Sequence, residues 1–332
     1  MKIIVDAFGG DNAPLEIIKG CADAVKEFNI EIILTGNEHT IKEVAANNKI
    51  SLEHMSIVHC DEVITMEDGA ESVLKTKKNS SMAVGLKLLN EDAGQAFISA
   101  GNSGALCFGA TLSIKRIKGI KRPAFAPVMP SENGFFMLID GGANVECRPE
   151  MLHQFAVMGS VYMEKVMKIQ NPRVGLANVG TEEHKGNELY QNTYKILAGS
   201  KLNFIGNVEG RDIPKGACDV LVCDGFTGNL ILKMYEGVAF TLMKQIKHIF
   251  ADSAKGKLAA ALVMNDIKDF KTRFDYNTYG GAPILGTSKL VFKAHGDSKA
   301  RTITNAIRLM IDYVNAEAID EISSSLKSVK EK

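Results

Sequence analysis

Cys223-Asp224-Gly225-Phe226-Thr227-Gly228-Asn229 lies between an apolar strand-like stretch, residues 219–223, and a long helix-like one. A strand that breaks into glycines and then opens a helix points unpaired backbone N–H groups and a positive helix end at one place. That is a site for an anion, and phosphate is the natural guest. The pattern recurs: Ser99-Ala100-Gly101-Asn102-Ser103-Gly104 follows strand-like residues 95–98, and Gly206-Asn207-Val208-Glu209-Gly210-Arg211-Asp212 follows a further short apolar run. Three strand-to-Gly/Asn turns point to one shared cleft. A single G-x-G would carry little weight, because glycine after a strand often serves only a tight turn. Neither a Walker pattern nor a full dinucleotide fingerprint is present.

Asn178-Val179-Gly180-Thr181-Glu182-Glu183-His184-Lys185-Gly186-Asn187 also follows a strand pattern and precedes a helical one, so it brings a cation, amides and a hydroxyl over the same strand ends. Lys185 is expected to neutralise phosphate as a point charge. The bland reading, a solvated lysine in a first helical turn, is disfavoured there unless an anion compensates. Asn178, Asn229 and backbone N–H groups are expected to hold a carbonyl oxygen or the remaining phosphate oxygens. The substrate-binding positions expected from the turns are Gly101, Asn102, Ser103, Gly104, Asn144, Thr181, Asn207, Glu209, Asp224, Thr227, Gly228 and His295. His295 ends the strand-like run 290–293 and opens a helix that Ser298 or Asp297 is placed to cap. It contacts substrate or simply satisfies backbone groups. Glu209 and Asp224 read equally as acids, orienting groups or turn formers. Cys107 follows the 99–104 turn, but with no histidine evident nearby it reads as a core residue rather than a nucleophile.

The chain has 332 residues, 45% hydrophobic and 23% charged, enough for a substantial buried core. Its 39 basic and 39 acidic residues balance, so no global basic field exists to hold nucleic acid. The first residues reach Asp6, Gly9 and Gly10 too soon for a secretory signal, and no apolar run is long enough for a membrane span. A cytoplasmic protein is expected. Cys21, Cys60, Cys107, Cys147, Cys218 and Cys223 are scattered without a C-x-x-C pair, as reduced core cysteines are. His54 and His59 flank a short strand at a spacing that fits no common metal site, so no metal is expected.

Behind these turns, strand and helix patterns alternate. Residues 2–6, 31–34, 56–59, 95–99, 135–140, 173–178, 204–205, 219–223 and 290–293 read as strands. Residues 15–28, 40–47, 81–90, 105–117, 153–168 and 187–198 read as helices. This predicts one α/β domain over residues 1–332, three-layered (α/β/α), with a mostly parallel sheet whose ligands collect beyond the strands' carboxyl ends. The exception is 228–275, a helical protrusion with no convincing strand. Its apolar tip, 258–264, flanked by Lys255, Lys257 and Lys268, would lie on an anionic membrane surface or serve as a dimer contact or buried helix.

Together Asp6-Ala7-Phe8-Gly9-Gly10-Asp11, residues 98–106, Arg122-Pro123-Ala124, residues 140–144, 177–187, 206–212 and 224–229, Tyr279-Gly280-Gly281-Ala282-Pro283 and His295-Gly296 resemble the bacterial phosphate acyltransferases of phospholipid synthesis. The match runs in order over nearly the whole chain. Phe8 stands where methionine is usual in that family, and Asp297 where serine is common. The resemblance implies transfer of a long fatty acyl chain from an acyl-carrier-protein thioester onto inorganic phosphate, giving acyl phosphate. It implies a homodimer with a fold related to phosphotransacetylases and isopropylmalate-type dehydrogenases. It also implies peripheral contact with the inner face of the cell membrane, where a further acyltransferase uses the product. It carries Lys185, Asn229, Asn178 and His184 over as catalytic residues, with no cofactor. The acidic carrier would be guided by Lys244, Lys247, Lys255, Lys257, Lys268, Lys271 and Arg273 around the protrusion. A decarboxylating dehydrogenase would share the architecture, but its metal-binding aspartates and arginine cluster are not found. A short-chain CoA-dependent phosphotransacetylase is a closer rival. A non-catalytic phosphate- or acyl-binding protein recruited to membranes is a rival of a different class.

Overall fold

A computed structural model describes residues 1–252, 254–264 and 280–330; Lys268, Lys271, Arg273, Tyr279 and the far part of the expected protrusion lie outside them. In chain order the elements are β1 (Lys2–Asp6), α1 (Leu15–Phe28), β2 (Glu31–Gly36), α2 (Glu38–Asn47), β3 (Met55–His59), α3 (Ser81–Asn90), β4 (Ala96–Ser99) and α4 (Ser103–Ser113). Then come β5 (Ala124–Phe125), β6 (Val128–Ser131), β7 (Gly134–Ile139), α5 (Pro149–Lys165), β8 (Val174–Asn178), α6 (Glu188–Ala198), β9 (Phe204–Glu209) and β10 (Val220–Val222). The chain continues through α7 (Gly225–Ala251), α8 (Ala254–Leu262), β11 (Ala282–Leu285), β12 (Leu290–Lys293), α9 (Ala300–Asn315) and α10 (Ala318–Lys330).

The strands divide between two sheets rather than forming one. A seven-stranded sheet runs β3-β2-β1-β4-β12-β11-β5, and a five-stranded one runs β6-β7-β10-β8-β9. Both are mostly parallel; the antiparallel pairs are β12 with β11, β11 with β5, and β6 with β7. Side-chain alternation builds the layers. Ile3 and Val5 of β1 face α1 and α9 in one core cluster, while Ile4 faces α3 and α4 in another. The first cluster continues through α5 to Met137, Ile139, Val220 and Val222 of the five-stranded sheet, so the two sheets share one packed interior. Helix α1 meets α9 closely because residue 20 is glycine: a Cβ there would lie 2.5 Å from the Ala300 carbonyl oxygen.

Several boundaries differ from the sequence reading. Residues 206–209 are not a turn after a strand but part of β9, whose ladder on β8 starts at Phe204 and, after an irregularity, runs on from Gly206 to Glu209. Their Gly/Asn content mimics a loop, yet the neighbouring strand satisfies their backbone. Helix α4 stops at Ser113, and α5 starts earlier than expected, with proline at its first turn, where the missing N–H costs nothing. The antiparallel strands β5, β6 and β11 were not expected. β6 carries Pro130, which argues against a strand, but it is an edge strand, where proline is tolerated. Among the described residues no helix is long and apolar enough to cross a membrane.

Candidate active site

At the carboxyl end of β7 the chain winds around Asp140. This side chain is fully buried and accepts hydrogen bonds from the backbone N–H groups of Phe125 (3.0 Å), Gly142 (3.1 Å), Ala143 (3.0 Å) and Asn144 (2.7 Å), and from the Asn144 side-chain amide (2.8 Å). Burial pushes its pKa up against these bonds, which favour the charged form. Asn144 also donates to the Pro123 carbonyl, so its amide nitrogen ties this loop to the chain entering β5.

The 224–229 turn is packed directly on that loop. Asp224 caps α7: Oδ1 accepts from Thr227 N at 2.9 Å, and Oδ2 accepts from the Thr227 hydroxyl at 2.9 Å and the Tyr190 hydroxyl at 2.6 Å. The glycines here serve close approach. A Cβ on Gly225 would lie 2.6 Å from the Asn144 oxygen, and one on Gly228 would lie 1.8 Å from the Asp140 oxygen. Asp224, Thr227 and Gly228 therefore build the turn. Asn229 is exposed on its outer side, beside Gly142.

At the end of β8, the Asn178 amide donates to the Lys185 carbonyl (3.1 Å) and its oxygen accepts from Val179 N (2.8 Å), folding residues 178–185 back on themselves. Asn207 on β9 donates to the Glu182 carbonyl at 2.8 Å, and Gln191 on α6 donates to the carbonyls of His184 and Gly186. Asn207 Oδ1 is buried without a partner among the described residues. Lys185 is half-buried; its ammonium makes no hydrogen bond or ion pair among the described residues, whereas Glu209 pairs with Arg211 at 2.8 Å. Thr181 and His184 are exposed. Lys185 precedes α6, which Asn187 caps, so it stands outside the helix rather than in its first turn.

The seven-stranded sheet presents a second set of strand ends, β1, β4 and β12. Buried Asp6 accepts from the Ser99 hydroxyl (2.6 Å) and Phe8 N (3.1 Å), and Ser99 Oγ accepts from Gly101 N (3.0 Å). Asn102 caps α4 through Ala105 N (3.0 Å) and donates to the carbonyls of Thr65 (3.1 Å) and Asp68 (3.0 Å), so its amide is structural; Ser103 and Gly104 are exposed beyond it. His295 Nδ1 meets Asp297 Oδ1 at 2.6 Å. The expected cap of α9 by Ser298 or Asp297 is not made. Glu16 of α1 accepts from Ala300 N at 2.8 Å instead, because the helices pack at that point.

A cavity of about 120 Å³ lies between the two sheets. Ser103, Lys293, His295 and Gly280-Gly281 form its polar end; β6 and Leu232 and Ala239 of α7 give it an apolar side, and Lys233, Tyr235 and Glu236 of α7 also line it. Of the residues expected from the turns, Ser103 and His295 line it, whereas Lys185 and Asn229 stand on the strand ends of the five-stranded sheet. Sequence reasoning missed Lys293. Its signal was a lysine closing an apolar strand run directly before Ala294-His295-Gly296. The lysine is 6% exposed, donates to the carbonyls of Ala100 (3.2 Å) and Ala294, and burial holds its pKa down to about 8. Cys107 is close enough to contribute to that field, but burial pushes its thiol up to about 12, so it offers no thiolate at neutral pH.

Comparison with known proteins agrees over the full length. A family model described as "fatty acid synthesis protein" matches residues 1–321. A phosphate acyltransferase from Alkaliphilus oremlandii is 46% identical over 329 residues, covering 99% of this chain and 98% of that protein. One from Caldanaerobacter subterraneus is 48% identical, covering 98% of each. Among solved structures, a phosphotransacetylase from Streptococcus pyogenes aligns with a TM-score of 0.63 at 18% identity, over 96% of this chain and 94% of that one, a likeness of fold.

Proposed function

The chain belongs to the fatty acid synthesis protein family of phosphate acyltransferases, and from that premise we propose that it moves a long fatty acyl chain from acyl carrier protein to inorganic phosphate. The observation that carries the acyl part is the cavity between the sheets. Val128, Met129 and Pro130 of β6 and Leu232 and Ala239 of α7 give it an apolar side, with Lys233 and Glu236 at its α7 edge, next to a polar end at Ser103 and His295, which suits an acyl group beside its thioester.

Phosphate is already a nucleophile at neutral pH, so no covalent enzyme intermediate is needed. A phosphate oxygen attacks the thioester carbonyl carbon and the C–S bond breaks. The proton of hydrogenphosphate ends on the carrier thiol. The protein must hold phosphate in place and stabilise the tetrahedral oxyanion. Lys185, whose ammonium is unpaired among the described residues, and Asn229, with an exposed amide, are assigned to phosphate positioning and carbonyl polarisation. Asn178 positions Lys185 by holding its loop, and His184 stands exposed in the same loop directly before Lys185. The product, a mixed anhydride, is consumed by a further acyltransferase.

The same reading includes a homodimer in the cytoplasm with peripheral membrane contact. It is supported by exposed Phe240, Leu242 and Ile249 on α7 and Leu258 and Leu262 on α8. Exposed Lys244, Lys247 and Lys255 offer the acidic carrier a basic approach. The deciding experiment follows thioester loss from long-chain acyl carrier protein with and without phosphate, trapping acyl phosphate with hydroxylamine. Phosphate-dependent loss with trapped product supports the reading. Turnover only with a short-chain CoA thioester, or binding without turnover, overturns it.

A further inference from the structure

We propose that Lys293 is a further phosphate-binding cation, supplied by the seven-stranded sheet at the polar end of the cavity. The proposal rests on the phosphate acyltransferase reading and adds a residue to it. Lys293 closes β12 and lines the cavity beside Ser103 and His295. An ammonium carries three N–H donors. Two are taken by the carbonyl oxygens of Ala100 and Ala294, which fix the nitrogen in place, and the third has no partner among the described residues.

Carbonyl dipoles do not neutralise the charge. Among the described residues no carboxylate lies within ion-pair distance of Lys293 Nζ, although the lysine is 6% exposed. The charged and titratable groups around it are Asp6, Asp11, Cys107 and Lys233, with His295 beside it in the cavity and Tyr235 and Glu236 on the cavity's α7 side. Asp6 is committed to Ser99 and Phe8, and burial favours its neutral form. Lys233 is paired with Glu236 at 3.0 Å and repels the ammonium. A buried cation without a counter-ion is strongly unfavourable unless something anionic shares its site. The cavity at its tip supplies the room, and the substrate anion supplies the charge. The depressed pKa is the same imbalance seen from the proton's side.

The test uses the full chain and the long-chain carrier thioester with hydroxylamine trapping. Wild-type turnover that depends on phosphate must be seen first; its absence defeats the underlying reading, not this residue alone. Given that turnover, the wild-type KM, expressed as the concentration of the hydrogenphosphate dianion, is expected to be level between pH 7 and about 8 and then to climb by up to about tenfold per unit as the ammonium loses its proton. Lys293→Arg keeps the cation but does not deprotonate, so its profile is expected to stay level across the same range. Lys293→Met is expected to raise the phosphate KM at least about tenfold at pH 7.5 while leaving the carrier-thioester KM within about twofold. A wild-type phosphate KM that stays level to pH 9.5 overturns the proposal, as does a folded Lys293→Met with unchanged phosphate KM. Should Lys293→Met fail to fold, the wild-type profile and the arginine variant decide.

Discussion

At the strand ends of the seven-stranded sheet, Asp6 is held by the Ser99 hydroxyl and Phe8 N–H, and the neighbouring lysine, Lys293, is buried at the cavity. At those of the five-stranded sheet, Asp140 gathers N–H groups from Phe125, Gly142, Ala143 and Asn144, Asp224 gathers Tyr190 and Thr227, and Lys185 stands half-exposed on a loop. In both regions buried aspartates (Asp6, Asp140 and Asp224) fasten loops to one another, while Lys293, Lys185 and the exposed Asn229 amide keep spare hydrogen-bonding capacity; Glu182 and Glu183 stand exposed on the Lys185 loop. An anion-handling site is expected to look like this. Carboxylates facing phosphate would repel it, and Asp6, Asp140 and Asp224 are turned inward onto hydrogen-bond donors. The regions differ in the donors their buried acceptors take: Asp140 holds four backbone N–H groups that cannot turn, whereas Asp6 draws on the serine hydroxyls of Ser81 and Ser99, which can rotate, beside the backbone of Phe8 and Gly9.

That contrast can be broken by substitution. The largest effect is expected for Gly228→Ala, whose new Cβ would fall 1.8 Å from the Asp140 oxygen, a backbone atom in a loop with no slack. Loss of the cooperative urea transition, or a shift of at least about 3 kcal/mol, is the expected result. A near-native transition would mean that α7 can move away from the 140–144 loop. Next comes Asp140→Asn, which sets a donor against N–H groups. It is expected to cost about 3 kcal/mol, against about 1–2 kcal/mol for Asp6→Asn, measured side by side by denaturant titration. Equal costs would erase the distinction between the two regions.

Lys185→Ala should leave the melting transition in place while lowering turnover by about tenfold to a hundredfold and raising the phosphate requirement, since it removes a cation that fastens nothing among the described residues. Steady-state kinetics across phosphate concentration checks this; unchanged kinetics would remove Lys185 from the mechanism. Tyr190→Phe removes the hydroxyl that donates to Asp224 and also contacts Asp224 N and the Thr227 hydroxyl, and should cost about 1–2 kcal/mol in stability. The smallest effect, about two- to threefold, is expected from reversing the charges of Lys244 and Lys247. It should appear in carrier-dependent activity and its salt dependence but not with a short-chain CoA thioester.

Much of this was legible in the chain. Strand and helix periodicity located β1, β2, β4, β8, β10 and β12, and the turns after them mark the strand ends where the polar residues gather. What periodicity could not show was partnership. Gly206 and Asn207 read as a turn because nothing in their local sequence reveals that β8 lies alongside to pair them. Ser298 reads as a helix cap, but Glu16, distant in the sequence, takes that place, and Ser298 Oγ is left buried without a partner among the described residues. Asn102 and Asp224 read as ligands because a cap and a phosphate contact call for the same residue types beside the same helix N-terminus.

The amino-acid order by itself determined the α/β class, the positions of the glycine-bearing strand ends and the family, since these depend on local hydrophobic spacing and on motifs contiguous in the chain. Only the tertiary structure decided that the strands form two sheets. It also decided which polar side chains are consumed in fastening them, and that Lys293 is sealed at the end of a cavity instead of finishing a strand in water. Those outcomes depend on how much solvent and how many partners each group keeps after distant segments meet, and neither quantity is encoded at the residue itself.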